Sequence, residues 1–133
     1  IGSLLLGNTA FIKKARRIRK VFGGGMRQAG YMAACGLYAL QNNIERLEQD
    51  HTQAKYIADL LSKKDFIGEI LPVETNILIF EVTGSYNAIS FCDFLKKRDI
   101  LCIAISSSQV RMVTHLDITP EMTDHLAQVI NKM

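Results

Sequence analysis

The chain has 133 residues, 48% of them hydrophobic and 22% charged. That balance excludes an intrinsically disordered segment. A chain of this length buries roughly two-thirds of its unfolded surface, enough for a core. No apolar run approaches the ~20 residues needed to cross a bilayer. Leu4-Leu5-Leu6 is too short for a signal-peptide core and follows no basic segment, so a cytoplasmic protein is expected.

The net charge of +3 comes from one place: Lys13, Lys14, Arg16, Arg17, Arg19 and Lys20 supply six cations, and the rest of the chain is net negative. Such a stretch can bind nucleic acid or an acidic membrane. It carries no interleaved aromatics and no nucleic-acid motif, so a solvated helix face or a subunit rim is the simpler expectation, and neither nucleic acid nor membrane is expected as a partner. Cys35, Cys92 and Cys102 stand far apart in sequence, odd in number and without CxxC spacing. They read as reduced, mostly buried small apolar residues, not as a disulfide framework or zinc site.

In chain order, Ile1 to Gly7 reads as a strand bounded by glycine. Asn8 or Thr9 then caps a helix to about Phe22, with Phe11, Ala15, Ile18 and Phe22 on one face. Gly23-Gly24-Gly25 ends it. Residues 26–42 read as a second helix rich in small residues. From Leu37 an apolar stripe through Leu40, Ile44, Leu47, Ala54, Ala58 and Leu61 predicts one long helix, or two hinged near Asn42-Asn43. Beyond Lys64 the period changes. Strands are expected at 67–71, 76–82, 100–105 and 110–116, with an amphipathic helix over 87–98 between the second and third. The last two strands are joined by a turn at Ser106-Ser107-Ser108-Gln109. Thr119 caps a final helix, with Pro120 at its first position and Glu121 in its first turn.

The C-terminal part thus reads as a small sheet with helices, an α+β arrangement. The first ~45 residues have no sheet partners of their own and read as part of a larger domain.

Three features could carry chemistry. The turn Gly23-Gly24-Gly25-Met26-Arg27 opens a helix and could hold a phosphate on free backbone N–H groups, with Arg27 and Lys20 adding charge. It could equally be a plain helix junction, since it matches neither a Walker loop nor a dinucleotide fingerprint. Arg111 lies in an apolar strand, where period two places it with Val113 and His115 on one face and Val110, Met112 and Thr114 on the other. A buried arginine needs a partner, and guanidinium forks a carboxylate. That partner could be Glu81, Asp117 or a substrate carboxylate. The histidines give little: His51 reads as a core-edge residue, His125 as exposed, and His115 has no catalytic constellation.

Several runs together carry a family likeness. They are Gly2-Ser3-Leu4-Leu5-Leu6-Gly7, Arg16-Arg17-Ile18-Arg19-Lys20, Gly23-Gly24-Gly25-Met26-Arg27-Gln28, Tyr38-Ala39-Leu40, Glu45-Arg46-Leu47, Asp50-His51, Thr75-Asn76 and Arg111 to Asp117. In these the whole chain resembles the C-terminal portion of the low-specificity threonine aldolases, pyridoxal-phosphate (PLP) enzymes of fold type I. The resemblance implies that residues 1–45 are the trailing strand and interface helices of a large PLP-binding domain, and residues 46–133 a C-terminal small α+β domain. It implies a lyase that cleaves threonine or allo-threonine to glycine and acetaldehyde, working as a homo-oligomer, dimer or tetramer. Arg111 would bind the substrate carboxylate, while Arg27 and, less directly, Lys20 would reach PLP on its phosphate side. The lysine that carries the cofactor precedes Ile1 in the family, and Lys13 and Lys14 are misplaced to replace it. No catalytic residue is therefore expected in this chain, and the chain alone is expected to be inactive. Another PLP-dependent β-eliminating lyase, or a stand-alone interaction module using the basic helix, are the alternatives.

Overall fold

The computed structural model describes residues 3–133. The chain divides into two compact units, Ile1–Glu45 and Arg46–Met133.

The first unit holds helices α1 (Thr9–Val21) and α2 (Gly30–Asn42). The Asn8 side chain accepts the Phe11 N–H at 2.9 Å and sets the start of α1. Its end is a Schellman closure: the Gly24 N–H donates to the Arg19 carbonyl and the Gly23 N–H to the Lys20 carbonyl, with Gly23 at φ +77°. Only glycine adopts that backbone without steric cost. Two expectations are corrected here. Ser3–Gly7 forms no strand, as an extended segment without a partner strand has nothing to satisfy its ladder, and Ile1 and Gly2 lie outside the described residues. The second helix begins at Gly30 and not at Met26, because Arg27, Gln28 and Ala29 form a turn in which Gln28 takes φ +54°. No side chain of either helix is buried.

The second unit contains α3 (Leu47–Leu61), β1 (Ile67–Ile70), β2 (Ile77–Val82), α4 (Ala88–Lys96), β3 (Ile103–Ala104), β4 (Gln109–Val113) and α5 (Pro120–Asn131). The apolar stripe from Leu37 is thus split between α2 and α3, with the break after Asn42. The four strands form an antiparallel sheet in the order β1-β2-β4-β3. Alternation along the strands decides its two faces. Leu78, Phe80, Val82, Val110 and Met112 point to one side and are buried against Ile57 and Leu61 of α3, Phe91 and Leu95 of α4, and Leu126, Val129 and Ile130 of α5. Phe80 and Phe91 meet edge to face, ring centres 5.7 Å apart. The fold of this unit is α+β, with three helices on one face of the sheet.

Local signals place the elements. Asn87 opens α4 with a capping box: its side chain accepts the Ser90 N–H at 2.8 Å, and the Ser90 hydroxyl accepts the Asn87 N–H at 3.0 Å. Asn87→Ala should therefore lower the melting temperature by roughly 5 °C, about 1 kcal/mol, in a thermal unfolding experiment. Thr119 caps α5, with Pro120 in its first turn. The Thr119 hydroxyl also holds the exposed Glu121 carboxyl below its usual range.

The expected strand 100–105 shrinks to two residues. The Ile100 N–H donates to the Leu95 carbonyl and the Asp99 N–H to Lys96, closing α4 through Asp99 at φ +62°. The start of the expected strand is consumed by the end of the helix. The cysteines also depart from expectation: Cys35 is exposed, and Cys92 and Cys102 are half-buried neighbours.

Candidate functional site

β4 is an interior strand, flanked by β2 and β3. Arg111 stands opposite Ile79 of β2 and Ile103 of β3, on the face of the sheet turned away from α3, α4 and α5. As alternation predicts, Val110, Met112 and Thr114 are buried on the helix side, while Arg111 and Val113 look the other way. The face opposite α3, α4 and α5 is apolar around the guanidinium, with Ile77, Ile103 and Val113 on it.

The end of the strand beyond Arg111 is tied down. The Thr114 N–H donates to the Asn76 carbonyl at 3.0 Å, and the Asn76 side-chain amide donates to the Thr114 carbonyl at 2.6 Å. The buried Thr114 hydroxyl donates to the Asp50 carbonyl at 2.7 Å, joining the strand to α3. Asp50 is buried and takes both Arg46 terminal nitrogens in a fork. Sequence reasoning missed this bracing network. Arg46 and Asp50 are a local i,i+4 pair, but the links from Asp50 to Thr114 and from Asn76 to Thr114 span 64 and 38 residues and leave no local signal.

Neither intrachain carboxylate weighed for Arg111 pairs with it. Glu81 lies diagonally across the ladder on the same face, but its carboxylate turns toward Gly68, 3.4 Å from where a Cβ there would stand. Asp117 is exposed and sits 3.6 Å from His115 Nδ1. Among the described residues no carboxylate lies within ion-pair distance of Arg111, and its Nε is buried without a hydrogen-bond partner. A buried donor of a charged group left unsatisfied is costly.

A cleft of about 290 Å³ lies at the end of β4, among Ile57, Ile100, Met112, Thr114, His115 and Thr123. Arg111 is not one of its walls. Those walls are mostly aliphatic and carry no permanent cation, so the candidate site is at Arg111.

The glycine turn is less open to an anion than its spacing suggests. The Gly23 and Gly24 N–H groups are spent on closing α1, and the turn does not open α2. Lys20 folds back over it, with Nζ 3.6 Å from where a Gly25 Cβ would stand. The Arg27 and Lys20 side chains, both exposed, can still meet an anion.

The sequence and fold can be compared with those of known proteins. The beta-eliminating lyase family model matches residues 1–85. The chain belongs to that family. The low-specificity L-threonine aldolase of Escherichia coli K12 is 43% identical over 127 residues, covering 96% of this chain. The low-specificity L-threonine aldolase 1 of Arabidopsis thaliana is 39% identical over 90% of it. The chain spans 37% and 34% of those two relatives' lengths. Among solved structures, the cystine C–S lyase C-DES, also seen as a variant with glycine covalently linked to its PLP cofactor, matches at TM-score 0.60 and 19% identity. That match covers 77% of this chain and 28% of C-DES. This beta-eliminating lyase segment therefore shares part of its fold with PLP enzymes of fold type I.

Proposed function

We propose that this chain is the substrate-carboxylate-binding part of a PLP-dependent aldehyde-lyase that cleaves threonine or allo-threonine to glycine and acetaldehyde. The observation that carries the reading is the buried Arg111 Nε without a hydrogen-bond partner, on the face of the sheet opposite α3, α4 and α5. An amino-acid carboxylate would accept a forked pair of hydrogen bonds there, one of them from the buried Nε–H. Held so, the substrate is oriented for bond cleavage, a positioning contribution. The identity to low-specificity L-threonine aldolases favours this substrate class.

PLP, when bound, supplies the electron sink for breaking the bond to Cα. In this chain Arg27 and Lys20 are the residues assigned to its phosphate, as side-chain cations and not through the glycine turn's N–H groups. Residues 1–45 would belong to the large PLP-binding domain and 46–133 to the small domain. The exposed apolar side chains of the first unit, among them Phe11, Phe22, Tyr31 and Leu37, support contact with another subunit of a homo-oligomer. A cytoplasmic location goes with this reading.

Among the described residues, no lysine lies on the strand positions that share Arg111's face. The 133-residue chain with PLP and threonine is therefore expected to release no acetaldehyde above the protein-free rate, measured by coupled reduction. The direct test is a chimera in which this chain replaces the matching segment of the E. coli relative. Acetaldehyde release from threonine supports the reading. A correctly folded, PLP-loaded chimera that releases none rejects it. The match to C-DES favours one second reading, a PLP-dependent β-eliminating lyase. Pyruvate from serine or cystine, in place of acetaldehyde from threonine, would establish it.

A further inference from the structure

We propose that Cys92 and Cys102 form a thiol–disulfide couple, a modification site that closes against a small-molecule disulfide and fastens edge strand β3 to α4.

The fold brings the two together. α4 carries Cys92, and the left-handed Asp99 turns the chain back so that residues 100–104 run alongside the helix. The Cys102 Sγ lies 3.3 Å from the Cys92 Sγ and donates to it. A disulfide needs the sulfurs at about 2.05 Å, a closure of little more than 1 Å that side-chain rotation can supply. Both thiols are half-buried and free, whereas Cys35 is exposed on α2. Here the sulfurs are each other's hydrogen-bonding partners.

The step balances as thiol–disulfide exchange with oxidised glutathione. The Cys92 thiolate attacks one glutathione sulfur, forms a mixed disulfide and releases one glutathione thiolate. Cys102 loses its proton to solvent and attacks the Cys92 sulfur, releasing the second glutathione. The protein is oxidised by two electrons and glutathione disulfide is reduced to two thiols. Burial, and then the neighbouring Cys92, push the Cys102 thiol up, so its loss of a proton slows the second, intramolecular step and makes closure the slow half of the exchange.

The consequence lies next to Arg111. Cys102 directly precedes Ile103, the residue of β3 that stands opposite Arg111. β3 is a two-residue strand at the sheet edge, the kind of element that frays first. A bond from Cys102 to α4 would hold that strand against β4. The inference concerns the chain's own redox state and does not depend on the lyase reading.

The experiment uses the whole chain carrying Cys35→Ser, equilibrated with a large excess of oxidised over reduced glutathione. Intact mass, peptide mapping and amide exchange are then read. The expected product has lost two hydrogens, retains no glutathione and yields a Cys92–Cys102 cross-linked peptide. Its melting temperature rises by roughly 10 °C, reversibly on reduction. The Ile105 amide, which donates to the Gln109 carbonyl at 2.9 Å, should exchange more slowly. Chains further carrying Cys92→Ser or Cys102→Ser should show none of these changes. Two free thiols, or a stable glutathione adduct on either cysteine, would overturn the couple. A cross-link that leaves Ile105 exchange unchanged would overturn the fastening of β3.

Discussion

Replacing Arg111 with methionine is expected to stabilise the isolated chain while disabling the chimeric enzyme. Arg111 Nε is buried with no hydrogen-bond partner, and among the described residues no carboxylate offsets the cation. Exchanging this half-buried guanidinium, with its unsatisfied Nε–H, for an apolar side chain of similar length removes a desolvation cost and adds contact with Ile79 and Ile103. A gain of about 1 kcal/mol, or roughly 5 °C in melting temperature, should be visible by circular dichroism. A structural role for the arginine predicts the opposite sign, so a fall in melting temperature sinks the assignment. In the chimera the same change removes the carboxylate's partner. The expected loss in kcat/KM for threonine is a factor of roughly 10²–10³, equivalent to about 3–4 kcal/mol. Arg111→Lys keeps the charge but loses the planar fork, so its loss should be intermediate and fall mainly on KM. An unchanged kcat/KM in the methionine chimera would remove Arg111 from the site.

Phe91→Ala should have the largest effect on stability. Phe91 is fully buried where α4 meets the sheet and lies within ring-stacking range of Phe66, Phe80 and Tyr86. Removing such a ring costs about 3–5 kcal/mol in transfer and cavity terms. A domain of this size has only about 5–10 kcal/mol in hand. Residues 46–133 should therefore lose roughly 12 °C or more of melting temperature, by the scaling of roughly 4–8 °C per kcal/mol, or stop unfolding cooperatively. A cooperative transition within a few degrees of the unmodified chain would mean that this ring cluster is not the centre of the core.

The local elements were legible because their determinants are local. Asn8, Asn87 and Thr119 cap helices through side chains three residues from the N–H groups they satisfy. Gly23 stops a helix because of its own backbone freedom. The alternation of Val110, Arg111, Met112 and Val113 assigned their faces, since side chains on a strand alternate whatever the partner. The elements that went astray are those whose state depends on a neighbour. Ser3–Gly7 has strand composition but no ladder, and Ile100–Leu101 has strand composition but an N–H already taken by the end of α4.

The same division holds for the site. By itself the sequence determined the α+β class of the C-terminal part, the family likeness, the face on which Arg111 lies and its candidacy as an anion ligand. It left open whether Glu81 or Asp117 neutralises that arginine, because pairing depends on where side chains from separate strands and loops end up. Only the tertiary structure decided that Glu81 turns toward Gly68, that Asp117 stays with His115, and that Asp50 and Asn76 brace β4 through Thr114. It likewise decided that Cys92 and Cys102, ten residues apart and unremarkable in spacing, face each other at 3.3 Å. Periodicity records which way a residue points, whereas the company it keeps is set by how distant segments pack.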